Sequence, residues 1–134
     1  MIQRLLAYSF ISLGFMGTLY LGFGNIVVDE RSVPALMWQD TEILLEDSSA
    51  WMIIDVRTEA EQTAQPLPWK RSIHIPLHLM EERSAELADL DSMKFLVVCP
   101  TGNRSRQAAR VLRMAGFESN YLEGGLKGMA EEGS

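Results

Sequence analysis

The run Phe95-Leu96-Val97-Val98 sets the tightest limit on how this chain can fold. A second run, Trp51 to Val56, is also apolar apart from Asp55. Neither run alternates polar with apolar residues. Each therefore reads as a strand buried on both faces, the pattern of a central parallel strand. After Ser105 the period becomes helical: Ser105, Ala108, Leu112 and Ala115 share one face, and Arg106, Arg110 and Arg113, a solvated set, the other. Strands alternating with helices imply an α/β domain whose mostly parallel central sheet is flanked by helices.

The smaller elements follow the same alternation. Ala35 to Trp38 is expected as a first edge strand, and a short helix over Glu42 to Glu46 as capped by Asp40 or Thr41. Asp47-Ser48-Ser49 breaks that helix. Thr58 to Gln62 begins a helical turn, where Arg57 and Glu61, four apart, are placed to pair. Pro66 and Pro68 keep Gln65 to Trp69 as loop, with Trp69 a packed residue or a wall of a site entrance. Ile73 to Ile75 and Asn120 to Leu122 read as strands, and Met80 to Leu90 as a helix. Gly116 is a left-handed helix cap, and Gly124-Gly125 opens a final helix.

Cys99 is the one cysteine of the chain. This excludes an internal disulfide and argues against a thiolate zinc site. His74 and His78 have metal-compatible spacing but no third ligand. Cys99 lies at the carboxyl end of a strand, where a short loop leads to a helix amino-terminus. Ligands bind there in open α/β sheets. Free N–H groups and the helix dipole favour an anion, and a thiolate, the nucleophilic form of cysteine, is one. Arg104 adds a permanent cation. A buried cysteine serving as a small hydrophobe would need neither the glycine turn nor the adjacent arginine in Gly102-Asn103-Arg104-Ser105. Asp55, at a neighbouring strand end, is placed to accept loop N–H groups, to orient Arg104, or to pair with Arg57.

Cys99-Pro100-Thr101-Gly102-Asn103-Arg104-Ser105 resembles the active-site loop of the rhodanese (sulfurtransferase) family. Ile53-Ile54-Asp55-Val56-Arg57 with Glu61, Ser72 to Leu77, and Tyr121-Leu122-Glu123-Gly124-Gly125 resemble three further family segments, in family order. The resemblance implies a persulfide nucleophile at Cys99, with Arg104 holding an anionic donor. It also implies that Pro100, Thr101, Gly102, Asn103, Ser105, Asp55 and Arg57 surround the substrate. N–H groups from Thr101 to Arg104 would stabilise the terminal sulfur, and no metal or organic cofactor is implied. In the family a loop of this length cradles sulfane sulfur. The related cell-cycle phosphatases have one residue more, which disfavours a phosphatase or arsenate reductase variant. Three departures concern the substrate entrance. Pro100 lacks an N–H, Leu67 to Arg71 replaces a usual Gly-His-Ile-Pro-Gly-Ala segment, and Met129 stands where tryptophan is common.

The first 24 residues hold one charge, Arg4, and residues 5–23 hold none. Nineteen residues at about 1.5 Å each nearly span a hydrocarbon core of about 30 Å. A cleaved signal peptide would have a shorter apolar core and a better site than Gly22-Phe23-Gly24. The expected organisation is a transmembrane helix over 1–24, a linker over 25–34 and a rhodanese-like domain over 35–134. Arg4 places the amino-terminus in the cytoplasm and the catalytic domain on the periplasmic or extracellular side. Gly14, Thr18 and Gly22 recur every four residues, a stripe against which a membrane-protein partner can pack. The remainder of the chain carries 11 of the 12 basic residues and all 18 acidic ones, a formal charge of −7, which argues against nucleic acid. The expected function is transfer of sulfane sulfur from a small anionic donor such as thiosulfate. The acceptor is cyanide, a thiol or a thioredoxin-like protein. A non-catalytic accessory subunit of a membrane complex is the alternative.

Overall fold

The structure, a computed structural model, describes residues 32–46 and 49–132. The expected transmembrane helix over 1–24, its Gly14, Thr18 and Gly22 stripe, and most of the linker lie outside these residues. So do Asp47 and Ser48 of the expected helix break. Among the described residues no helix is long and apolar enough to cross a membrane.

Five strands form one sheet: β1 (Ala35–Leu36), β2 (Trp51–Asp55), β3 (Ser72–His74), β4 (Lys94–Val98) and β5 (Ser119–Leu122). Their order is β1-β5-β4-β2-β3, and every neighbouring pair is parallel. The two apolar runs thus become the adjacent strands β2 and β4, with Ile53 opposite Leu96 and Asp55 opposite Val98. Helices α1 (Trp38–Glu46), α2 (Glu59–Ala64), α3 (Met80–Arg83), α4 (Asn103–Met114) and α5 (Gly125–Glu132) connect and flank the strands.

Because side chains alternate along a strand, β4 feeds two cores. Phe95, Val97 and the following Cys99 join Ile54, Met80, Ala108 and Leu112 on one face. Leu96 and Val98 join Ile53, Leu122 and Leu126 on the other, covered by α1 and α5 through Leu44, Leu45 and Met129. Trp69 packs on Trp38, ring centroids 5.8 Å apart. On α4, Ser105, Ala108 and Leu112 are buried as the period requires, joined by Ala109, whereas Ala115 is exposed.

Several boundaries differ from the sequence expectations. Trp38 begins α1 rather than ending β1, and Thr41 lies inside that helix. The Thr41 hydroxyl donates to the Met37 carbonyl at 2.9 Å, so it back-bonds within the first turn instead of capping. The expected helix over Met80 to Leu90 is α-helical only to Arg83 and continues as a 3-10 helix, Ser84–Leu90. Its inward residues Met80 and Leu87 are seven apart, close to two turns of an α-helix, although the second lies in the 3-10 segment. Gly116 does adopt the left-handed cap, φ 95°.

Phe95 is fully buried, whereas Met114 is 80% exposed. Phe95→Ala is expected to cost about 3–5 kcal/mol through cavity formation. Met114→Ala should change stability by less than about 0.5 kcal/mol. Urea unfolding of the two variants checks this contrast.

Candidate active site

Cys99 follows the last residue of β4, and its side chain falls on the α4 face by strand parity. The chain then turns back through Gly102, φ 92°. A side chain at Gly102 would be strained by that φ and would place its Cβ 3.2 Å from the Leu122 carbonyl. The turn aims two backbone N–H groups at the sulfur. Gly102 N lies 3.0 Å and Ser105 N 3.4 Å from Cys99 Sγ. Ser105 Oγ lies 3.5 Å from Sγ and donates to the Gly102 carbonyl at 2.9 Å. Cys99 and Ser105 are both fully buried.

The outer side of the loop is tied to α5. Leu126 N–H donates to the Cys99 carbonyl at 2.9 Å and Lys127 N–H to the Pro100 carbonyl at 3.0 Å. A Cβ at Gly125, φ 63°, would sit 2.6 Å from the Pro100 carbonyl. The loop and α5 therefore meet backbone to backbone, which is the physical reason for glycine at 125.

The charged residues divide into two pairs. Register with Val98 sets Asp55 one residue from Cys99 in the neighbouring strand. Its carboxylate binds Arg57: Nε donates to Oδ1 at 2.9 Å, Nη2 to Oδ2 at 2.8 Å, and the Arg57 backbone N–H to Oδ1 at 3.1 Å. Arg57 also donates to the Gln65 carbonyl at 2.8 Å, and both members of the pair are buried. Asp55 thus takes the last of its three expected roles. Glu61 is not the partner of Arg57. It binds Arg104, 43 residues away, by two bonds: Nη1 to Oε2 at 2.8 Å and Nη2 to Oε1 at 2.6 Å. Oε2 also takes the Thr58 N–H at 2.9 Å, completing a capping box at the start of α2. The Arg104 bonds, and next the Thr58 N–H, lower the Glu61 carboxyl from 4.5 to about 2. Arg104 is shifted upward, chiefly by Glu61.

The structure therefore brings Cys99, Gly102 and Ser105 together as a sulfur cradle. Thr101 is exposed, Asn103 begins α4, and neither is among the donors to Sγ. Pro100 contributes a carbonyl anchor for the Lys127 N–H. The Arg104 guanidinium faces Glu61. His74 Nε2 bonds the Arg57 carbonyl at 2.8 Å, which occupies one of its two possible ligand atoms. Of the three helical arginines, Arg106 and Arg110 are exposed, while Arg113 donates to the Ser119 carbonyl at 3.2 Å. Beside Pro100 a cleft of about 380 Å³ is lined by Arg57, Glu61, Gln65, Leu126 and Lys127 among others. Sequence reading missed Lys127, because its nearness to the loop depends on how α5 docks.

Residues 39–132 match the rhodanese-like domain, and the chain belongs to that family. Among curated proteins it is similar to YrkF of Bacillus subtilis (strain 168), described as a candidate sulfur carrier protein, with 30% identity over 87 residues. That match covers 65% of this chain and 45% of YrkF, so the chain spans about half the length of that relative. Among solved structures it resembles a rhodanese-related protein from Thermoplasma volcanium: TM-score 0.63, 30% identity, 75% of this chain and 93% of that one covered. It also resembles part of a NAD-dependent persulfide reductase from A. fulgidus: TM-score 0.55, 34% identity, 70% and 15% covered.

The Glu61–Arg104 pair joins α2 to the cysteine loop and leaves both side chains about one-third exposed. Glu61 has a folded pKa of about 2, below its ordinary 4.5. Its stabilisation is therefore complete above about 4.5 and is lost as pH falls toward 2. Solvent screening keeps the contribution under about 1 kcal/mol. Glu61→Gln should lower stability at neutral pH and narrow its difference from the parent as pH falls through that window. Urea midpoints at a series of pH values check the sign.

Proposed function

We propose that this protein is a sulfurtransferase in which Cys99 carries sulfane sulfur as a persulfide. The observation that supports this reading is the pair of backbone N–H groups, Gly102 and Ser105, aimed at Sγ from a loop with four residues between Cys99 and Arg104. Such donors stabilise a sulfur anion without reorganising, the condition for electrostatic catalysis. The rhodanese-like membership and the names of two relatives, a candidate sulfur carrier and a persulfide reductase, support sulfur transfer as the chemistry.

In this reading the Cys99 thiolate attacks the outer sulfur of thiosulfate or a similar donor. A new S–S bond forms at Sγ, the donor's own S–S bond breaks, and sulfite leaves with the bonding pair. A thiolate or cyanide then attacks the terminal sulfur and Cys99 leaves as thiolate, completing a two-step exchange. Ser105 Oγ, 3.5 Å from Sγ, is positioned to accept the thiol hydrogen when the cysteine is protonated. The acceptor is a small thiol or a thioredoxin-like protein. Mass spectrometry after thiosulfate treatment should show one added sulfur on Cys99. Cys99→Ser should lose both that mass and all sulfur transfer while keeping the fold, because oxygen is a poor sulfur acceptor. Transfer persisting in Cys99→Ser would overturn the assignment.

We also propose that residues 5–23 anchor the protein in a membrane, with the amino-terminus cytoplasmic and the catalytic domain on the opposite side. Support comes from nineteen uncharged residues preceded by Arg4. The full-length protein is expected to stay with membranes through a carbonate wash, and a membrane-impermeant thiol reagent should reach Cys99 only from the non-cytoplasmic side, with a denatured control for burial. Release by carbonate, or labelling only from the cytoplasmic side, would refute this placement.

A further inference from the structure

Arg57, after the strand end beside the cysteine loop, and Arg104, which follows the loop, are both held by carboxylates. Arg57 is bound by Asp55 and the Gln65 carbonyl, and Arg104 by Glu61. Each guanidinium charge is thus already paired with a carboxylate through charge-assisted bonds. The cleft beside Pro100 holds a third cation. Lys127 lines it together with Arg57, Glu61, Gln65, Pro100 and Leu126. Lys127 is exposed, and its ammonium makes no ion pair among the described residues, Glu131 four residues on included. Its backbone is fixed by the 3.0 Å bond from its N–H to the Pro100 carbonyl. The side chain thus starts one hydrogen bond away from the residue that follows the nucleophile. It is the only basic residue of α5.

We propose that Lys127 determines donor specificity by binding the sulfonate end of a thiosulfate-type donor in this cleft. The proposal rests on the sulfurtransferase reading of Cys99. The outer sulfur points to Sγ and the three sulfonate oxygens face the ammonium. When the Cys99 thiolate attacks, the donor's S–S bond breaks and the departing sulfite carries the bonding pair beside the same cation. The contact exists in the bound donor and in the leaving group alike, so its main effect is on binding rather than on the rate of the bonded complex. A lysine ammonium, compact and mobile on its stem, suits a small anion that must arrive and leave.

The test is single-turnover persulfide formation in full-length protein. Thiosulfate concentration is varied, and transfer from preformed persulfide to dithiothreitol, an uncharged acceptor, is measured separately. Lys127→Gln should reduce the rate at sub-saturating thiosulfate about 3- to 10-fold, while the saturating rate is unchanged. Lys127→Glu should reduce it further, and Lys127→Arg should restore it. Added salt should slow the parent protein at low thiosulfate and affect Lys127→Gln much less. Transfer to dithiothreitol should be the same in all variants, which a distorted loop would not allow. If Lys127→Gln matches the parent at every thiosulfate concentration, Lys127 is not the donor site and the sulfurtransferase reading stands. If the dithiothreitol step falls in parallel, the residue is structural and the proposal is also overturned. If the parent forms no persulfide, both readings fall together.

Discussion

A loop that must turn its amides toward a buried sulfur has first to satisfy its carbonyls. Here the amino-terminal turn of α5 does so, with Leu126 and Lys127 N–H groups donating to the carbonyls of Cys99 and Pro100. Those N–H groups are ones a helix start leaves unpaired in any case. The loop is then held from outside, and Gly102 and Ser105 N–H groups are left to point at Sγ. Glycine at 125 makes the contact sterically possible, and glycine at 102 makes the turn possible. Remove either and the amides lose their aim, even though neither residue touches the sulfur through a side chain.

Charge around the loop is neutralised in compartments. The buried Asp55–Arg57 pair is fully hydrogen-bonded, and Arg57 also anchors the end of α2 through the Gln65 carbonyl. A buried pair of this kind adds little net stability over an apolar pair, but breaking it leaves an unpaired buried charge. The Glu61–Arg104 pair, about one-third exposed, connects the start of α2 to the first turn of α4. Together the two pairs hold α2, which buries no residue of its own, against the rim of the site. Polar bonds, rather than core packing, set where that wall stands. The charge that remains unpaired at the cleft belongs to Lys127.

Much of the architecture was legible in the chain. Apolar runs without alternation at 51–56 and 95–98 have one economical solution, adjacent strands buried on both faces, and β2 and β4 are such a pair. The helical period after Ser105 placed α4, and the motif order placed Cys99 at a strand end. The parts that were not legible lie where local sequence is neutral. Trp38 suits a strand or a helix, and packing against Trp69 on the α1 side decides for the helix. Met80 and Leu87 keep the i, i+7 spacing of an α-helix, so the hydrophobic pattern reads as α throughout and gives no sign of the switch to 3-10 geometry after Arg83.

Sequence by itself determined the strand cores, the place of the single cysteine at a strand end and the glycine turn behind it, because each depends on residues near one another in the chain. Pairing among charges was decided only by the tertiary structure. Arg57 and Glu61 have helical spacing, yet they bond to different partners, Asp55 and Arg104. The reason is that a guanidinium chooses the carboxylate whose plane it can meet with two bonds, and which plane that is depends on strand register and helix docking. The same holds for Lys127, an ordinary helical lysine in sequence. It stands beside the cysteine loop because β5 lies next to β4 and returns the chain to Pro100.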